Sequence, residues 1–382
     1  MTRYEKAHPG EENKLLDFAN YVFSQAHRPH DFRTLLPKVY GEGVLNASIH
    51  YVAHDEIGDI RAMIAALPQH LSVCGRKLFL GSVGTVSVHP YARGEGHMKH
   101  LMKLMEDDCR AQGMDALVLG GRRQRYNYFG FEEAGANALF TVDRVNLRHA
   151  LDAQNDTPFH FVQLSDNCDP LVQKCFELYQ KGPVNGARPR EEYLRYMHSW
   201  QGELYAVMKN DAFAGALQIC GQVVRNIGEL LLNDENDLPA VLKKWLVSHP
   251  EMDSVSITAW PFEKQRIAIL EGFAEDMCIG HGQMIRILNF KNVLNAVMTL
   301  NALSKPLENG SVVMKADGQQ FRLTVRDGVV SVEDTSDAPD ITLDALSAER
   351  LLFLPTRFLL SPNPAFKNWL PLPWVMPVPD RF

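Results

Sequence analysis

The segment VSVHPYARGEGHMKHLM, residues 86 to 102, carries the residue types and spacing best suited to chemistry. A strand ending at Val88, a loop holding Arg93, Gly94 and Gly96, and a helix starting near His97 would aim several main-chain N–H groups at one place. The first turn of a helix has unpaired donors and the positive end of the dipole, and glycines let the backbone approach closely, so this arrangement suits a phosphate. Arg93 would add charge, the competing reading being a Gly-rich turn with a solvated arginine. Neither a Gly-Lys-Ser/Thr nor a complete G-x-G-x-x-G is present, so the P-loop and dinucleotide fingerprints both fail. Further along, YNYFGF offers Tyr126, a phenol with a pKa of about 10 that can donate a hydrogen bond or a proton. The alternative for Tyr126 is a packing tyrosine, and Tyr128 is its nearest competitor.

These residues need a strand, a loop and a helix in that order. Leu78 to Val88 is rich in β-branched residues and closes at His89-Pro90, a strand with a turn at its end. From His97 the apolar positions Met98, Leu101, Met102, Met105 and Cys109 recur at helical spacing, with Gly113 as a stop. Asp115 to Leu119 reads as the next strand, followed by the basic, aromatic loop from Gly120 to Phe131. The expected fold class is α/β (α+β), in three blocks. Residues 1–150 and 151–290 are mixed α/β, the second with strand-like LYAVMK, FAGALQIC and SVSITAW and a helix near Pro239 to Ser248. From about 291 the texture changes to period-two alternation broken by Asp317-Gly318 and Asp327-Gly328, both hairpin signals. An amphipathic segment, Leu343 to Leu354, precedes the apolar tail PLPWVMPVPDRF.

The chain of 382 residues has 39 basic and 46 acidic residues, a formal charge of −7, which argues against a sequence-blind nucleic-acid binder. Its six cysteines lie far apart with no C-x-x-C pair, so neither a metal site nor a disulfide framework is expected, and a reducing cytoplasm fits. No long apolar run or signal-peptide pattern is present, and a soluble, cytoplasmic protein that uses no membrane is the expectation.

The V-x-V-x-P-x-x-R-G-x-G segment followed by Y-x-x-x-G-F resembles the GNAT acyltransferases, whose loop-helix element binds the pyrophosphate of acetyl-CoA. Met98 departs from the final Gly/Ala of that motif. With the chain length and the two further blocks, the sequence is similar to the enhanced-intracellular-survival family: a catalytic GNAT domain (1–150), a degenerate GNAT-like domain (151–290) and a sterol-carrier-like domain (291–382). A triple arginine run found in some members is reduced here to Arg93, with Gly94-Glu95 replacing the rest. The resemblance implies that the backbone at Val86 and Val88 contacts the pantetheine arm and that Arg93, Gly94 and Gly96 hold the pyrophosphate. Tyr126 would be the general acid. The carboxylate of the terminal Phe382 would act as base, with the Pro-rich tail extended to reach the first domain. The implied activity is transfer of acetyl from acetyl-CoA, without a metal, to a primary amine of a small cationic molecule such as an aminoglycoside or polyamine. Protein lysine acetylation and a nonenzymatic apolar-ligand carrier are the rivals, and a homohexamer is implied.

His89, His97 and His100 read as surface or capping residues. Arg122, Arg123 and Arg125 would meet the ribose phosphate or solvent, and Glu132 and Glu133 would face solvent. In the second block Asp234, Glu235 and Asp237 stand where a phosphate loop would be needed and would repel a pyrophosphate. They either attract a cationic acceptor or simply solvate a loop.

Overall fold

The computed structural model describes residues 2–26, 30–154, 158–221, 226–360 and 363–382. Its largest sheet is built from β1 (Arg3–Lys6), β2 (His50–His54), β3 (Ile60–Val73), β4 (Arg76–Val88), β5 (Ala116–Leu119) and β6 (Glu132–Glu133). β3 and β4 form a long hairpin whose two turn residues, Cys74 and Gly75, both have positive φ, the backbone twist that tight hairpins prefer. β4 then pairs in parallel with β5, the crossover being the helix His97–Ala111. That helix buries Leu101, Met102, Met105 and Cys109 at three- and four-residue intervals, the stripe its sequence anticipates.

Strands on either side of residue 150 share sheets. β7 (Ala136–Asp143) leaves the first sheet and pairs on both edges with strands from much later in the chain, β13 (Ser254–Ala259) and β14 (Asp276–His281). The next strand, β15 (Met284–Ile287), returns and lies between β5 and β6. Between these, β8 (Phe159–Leu164), β10 (Glu203–Lys209), β11 (Ala212–Cys220) and β12 (Asn226–Leu232) make a four-stranded antiparallel sheet. The short β9 (Val184–Gly186) docks on β3. Trp245, fully buried from the helix Leu238–Ser248, centres the core of this second unit.

The last unit is a meander of β16 (Gly310–Ala316), β17 (Gln319–Arg326) and β18 (Val329–Asp334), with β19 (Ile341–Leu343) parallel to β16. Its two turns fall at Asp317-Gly318 and Asp327-Gly328, all four residues with positive φ, as the dipeptides foretell. The helices Phe290–Ser304 and Ala345–Phe353 cover it. Trp369, Trp374, Val375 and Met376 of the tail share one core with this unit and with Leu71, Val73, Leu78 and Leu80 of β3 and β4.

Candidate active site

β4 is held by β3 to its end, but its ladder with β5 stops at Ser82 opposite Val118. From Val83 to Val88 that edge of β4 has no strand beside it among the described residues. A bulge re-aims this stretch: the register slips between Met63 and Ala65 of β3, where Thr85 takes φ 46°. Two side chains pin the bulge, Tyr40 donating its hydroxyl to Thr85 Oγ1 at 3.0 Å and Ser87 Oγ donating to the Thr85 carbonyl at 3.0 Å. The half-buried Val86 and Val88 thus lie on an open edge with main-chain groups free to meet an extended ligand.

The loop beyond leads into the helix through Gly94 (φ 91°) and Gly96 (φ 82°), left-handed positions where a side chain is strained although space is open. The N–H groups of Gly94, Gly96, His97 and Met98 find no acceptor among the described residues, and no side chain caps the helix. Arg93 is exposed and makes no ion pair among the described residues. An anion with several oxygens fits this cluster of donors at a helix N-terminus. Among the three histidines, His89 caps the turn by accepting from the Tyr91 N–H at 3.3 Å. His97 corrects the expectation: it is buried, held between the Tyr4 hydroxyl and Glu95 at 2.9 Å each, and so locks the loop to β1.

Tyr126 sits in the short helix Arg123–Asn127 with 7% of its surface exposed, its ring edge-on to Phe131. A Cβ on Gly121 would lie 2.7 Å from Tyr126 Cε2, so glycine at the end of β5 is what admits the ring. Burial pushes the phenol above its ordinary value, and Arg125 offsets part of that rise. Tyr128, the competitor, is exposed under Lys99. Arg123 is not free for a phosphate: it bonds Glu132 through both ends of its fork, and Arg350 bonds the same carboxylate at 2.7 Å. Glu132 is therefore buried rather than solvated; burial alone would raise its carboxyl, but the two arginines hold it below the usual carboxylate range.

The tail returns to the first unit. The Phe382 ring lies against Gly84, where a Cβ would come within 2.8 Å of three ring atoms, and packs in the core that holds Tyr40, Met63 and Ala65. Other glycines clear its route: Cβ atoms on Gly135 and Gly186 would meet the Trp374 main chain at 2.4 Å and the Asp380 carboxyl at 2.7 Å. Asp380 is fully enclosed and takes two bonds from Arg188, at 2.8 and 3.1 Å, and one from the Tyr179 hydroxyl at 3.0 Å. Arg188 also forks onto Glu229 at 3.1 and 2.8 Å. The buried Lys38 amine donates to the carbonyls of Pro379 (2.5 Å) and Arg381 (2.6 Å), and Trp200 Nε1 donates to the latter at 3.2 Å. Burial pushes Lys38 down to about 7, Asp380 opposing the shift and Arg188 and Arg381 adding to it.

Phe382, Leu119, Gly120, Gly121, Trp200, Gln283 and Met284 are among the residues around one cleft of about 560 Å³. Tyr126 stands behind its Gly121 wall, and the open edge of β4 begins under the Phe382 ring. The acids of the second unit are not at this cleft. Glu235 binds Arg266 at 2.6 Å, Asp237 binds Lys209 at 2.7 Å, and Asp234 accepts from the Asn236 N–H. Sequence reasoning missed Lys38, Arg188, Trp200 and Gln283, because isolated residues carry no spacing signal. The glycines under the tail were the one available hint.

Residues 3–134 match the family model described as an acetyltransferase (GNAT) domain. Across the whole chain, the fold is similar to a GCN5-related N-acetyltransferase from Anabaena variabilis (TM-score 0.69, 16% identity, 100% of both chains). It is also similar to one from Kribbella flavida (0.66, 16%, 92% of this chain and 88% of that) and to Eis1 from Mycobacterium abscessus (0.61, 14%, 92% and 89%). No curated protein matches the sequence. No helix among the described residues is long and apolar enough to cross a membrane. With the open β4 edge and the donor-rich loop inside the matched region, residues 3–134 are a GNAT acetyltransferase domain, and the chain is an enzyme of the acetyltransferase kind.

Proposed function

We propose that the protein transfers acetyl from acetyl-CoA to a primary amine within a ternary complex. The observation that carries this reading is a cleft lined by Phe382 and by Gly121, against which Tyr126 packs, with the unpaired β4 edge starting beside Gly84 under the Phe382 ring and running toward the donor cluster at Gly94–Met98. Val86 and Val88 would hold the pantetheine arm through main-chain bonds, and Arg93, Gly94 and Gly96 the pyrophosphate. The amine loses a proton to the Phe382 carboxylate through water and attacks the thioester carbonyl, whose oxygen is stabilised by a main-chain N–H near Val88. The carbon–sulfur bond then breaks, and Tyr126 delivers its proton to the departing thiolate. A phenol with a raised pKa keeps that proton at neutral pH, as a general acid must. An α-carboxyl has an ordinary pKa of about 3.5, and drawing it out of water beside apolar side chains would make it a better base.

The resemblance implies an aminoglycoside- or polyamine-like acceptor, but the acids of the 234–237 loop, which could have drawn in a cation, are engaged elsewhere. The carrier alternative draws little support: Phe290, Phe321, Phe366 and Trp369 fill the interior of the last unit. The helix-covered meander agrees with a sterol-carrier-like unit, and the cytoplasm and a hexamer remain part of the proposal; light scattering tests the latter. The central test is thiol release from acetyl-CoA with polyamines, aminoglycosides, amino acids, arylamines and lysine peptides. Saturable release with small amines supports the reading, and release with lysine peptides alone would favour protein acetylation. Acetyl-CoA binding without release for any amine would sink it.

A further inference from the structure

The acceptor cleft differs from a polycation site in what lines it. Its wall consists of Leu35, Leu119, Trp200, Met284, Val378 and the Phe382 ring, with glycines, Gln201, Cys220, Asn226, His281, Gln283 and Arg381 between them, and among the described residues it contains no Asp or Glu side chain. His281 is already turned to Glu133, at 3.3 Å. Arg381 brings a positive charge of its own, and its Nε donates to the Met376 carbonyl. A polyamine or aminoglycoside would carry several ammonium groups into a space offering, on the reading above, a single carboxylate, and every further unpaired charge taken out of water is costly.

Two other features of the wall point to a particular occupant. Trp200 is fixed from three sides: its N–H donates to the Leu35 carbonyl at 2.7 Å, its carbonyl accepts from Gly221, and its indole N–H donates to the Arg381 carbonyl. Trp200 and Gln201 both hold positive φ, 61° and 57°, a backbone strain that non-glycine residues sustain where a side chain must be held in one place. The result is a rigid aromatic wall. Opposite in character is Gln283, 8% exposed, whose Oε1 is buried and has no partner among the described residues. A buried amide oxygen without a donor is a free-energy cost that a bound N–H or O–H would remove.

We infer that the acceptor is a monoamine with an aromatic or otherwise apolar body, an arylalkylamine in chemical class, whose ring packs on Trp200 and whose N–H or O–H is met by the Gln283 amide oxygen once that side chain turns from its buried position into the cleft. This rests on the proposed acetyl transfer and narrows its substrate. One amine charge meets one carboxylate, and the ring replaces water along the apolar wall.

The test compares kcat/KM of the full chain for 2-phenylethylamine and tyramine with that for spermidine and kanamycin, at saturating acetyl-CoA and fixed salt. The arylalkylamines are expected to exceed the polycations by at least about tenfold, given the penalty on unpaired charge. Gln283→Leu should lower kcat/KM for the preferred amine by about tenfold through loss of a hydrogen bond the site is shaped to make, leaving acetyl-CoA affinity unchanged. Gln283→Glu, which adds the missing acid, should shift the ratio toward spermidine by a similar factor. Equal or better turnover of spermidine or kanamycin by the parent chain would overturn the substrate class and leave acetyl transfer standing. Release with none of the amines, despite acetyl-CoA binding in calorimetry, would overturn both. Should Gln283→Leu lose its folded circular-dichroism signal, Gln283→Glu decides alone: an unchanged amine ratio in a folded variant refutes the role of Gln283.

Discussion

Replacing Asp380 by Ala removes the carboxylate that ties the tail to the second unit without touching any residue assigned to bind acetyl-CoA. The side chains involved are enclosed, 3% exposed for Asp380 and none for Arg188. Removing one partner of a buried ion pair costs about 3–5 kcal/mol, because the other charge is left without compensation. Glu229 still forks onto Arg188, so the lower end, about 3 kcal/mol, applies here. That is about a 100-fold shift in the equilibrium between docked and undocked tail. The rate with the amine should fall by at least about tenfold if the Phe382 carboxylate is the base, while acetyl-CoA affinity, which the proposal assigns to the loop at Gly94–Met98, should hold. Thiol-release kinetics and calorimetric titration of acetyl-CoA measure the two separately, and a thermal melt should show a fall of several degrees. Full amine turnover with an unchanged melt would refute the reasoning, because it would mean that neither the network nor the docked tail matters to the site.

Tyr126→Phe keeps the ring in its place against Gly121 and removes only the hydroxyl; kcat should drop by about 100-fold with acetyl-CoA affinity intact, and equal loss of both would count against a general acid. Gly84→Ala would set a methyl 2.8 Å from the Phe382 ring; overpacking should cost about 1–3 kcal/mol in denaturant unfolding and slow turnover by displacing the tail. Lys38 gives a pH signature. Its folded value of about 7 lies below 10.5, so the folded chain sheds this proton first. The contribution to stability is then full above about pH 10.5 and is lost as pH falls through about 7. Unfolding free energy should therefore rise from pH 7 upward in the parent and less so in Lys38→Met, and matching slopes would disprove the assignment.

Elements governed by local pattern were legible in the sequence. β4, the Gly94/Gly96 loop and the helix His97–Ala111 lie where β-branched runs, glycines and the apolar stripe place them, and both Asp-Gly hairpins form where they are written. What escaped was set by contacts between distant residues. Nothing near Glu132 announces that Arg350 closes over it, so the pair of acids reads as solvated although the first is buried. His97 likewise looks exposed beside charged neighbours until Tyr4, from the first strand, covers it. Of the candidate site, the Gly94/Gly96 loop and Tyr126 carry fixed spacings. The floor beneath the tail is assembled from Lys38, Gly84, Gly186 and Arg188, no two of which form a motif.

The insertion of β15 between β5 and β6 also sets a schedule for synthesis. The sheet that carries the open β4 edge has all its other principal strands by residue 133, yet the gap beside β5 stays open until residue 287 has left the ribosome. For that interval the nascent chain displays an unpaired, wholly apolar edge, Ala116–Leu119, of the kind that captures neighbouring strands. Pairing across so long a separation is also slow. A separately expressed first unit would carry that open edge permanently and should aggregate, so the acetyltransferase domain depends for its solubility on a strand encoded in the other half of the chain.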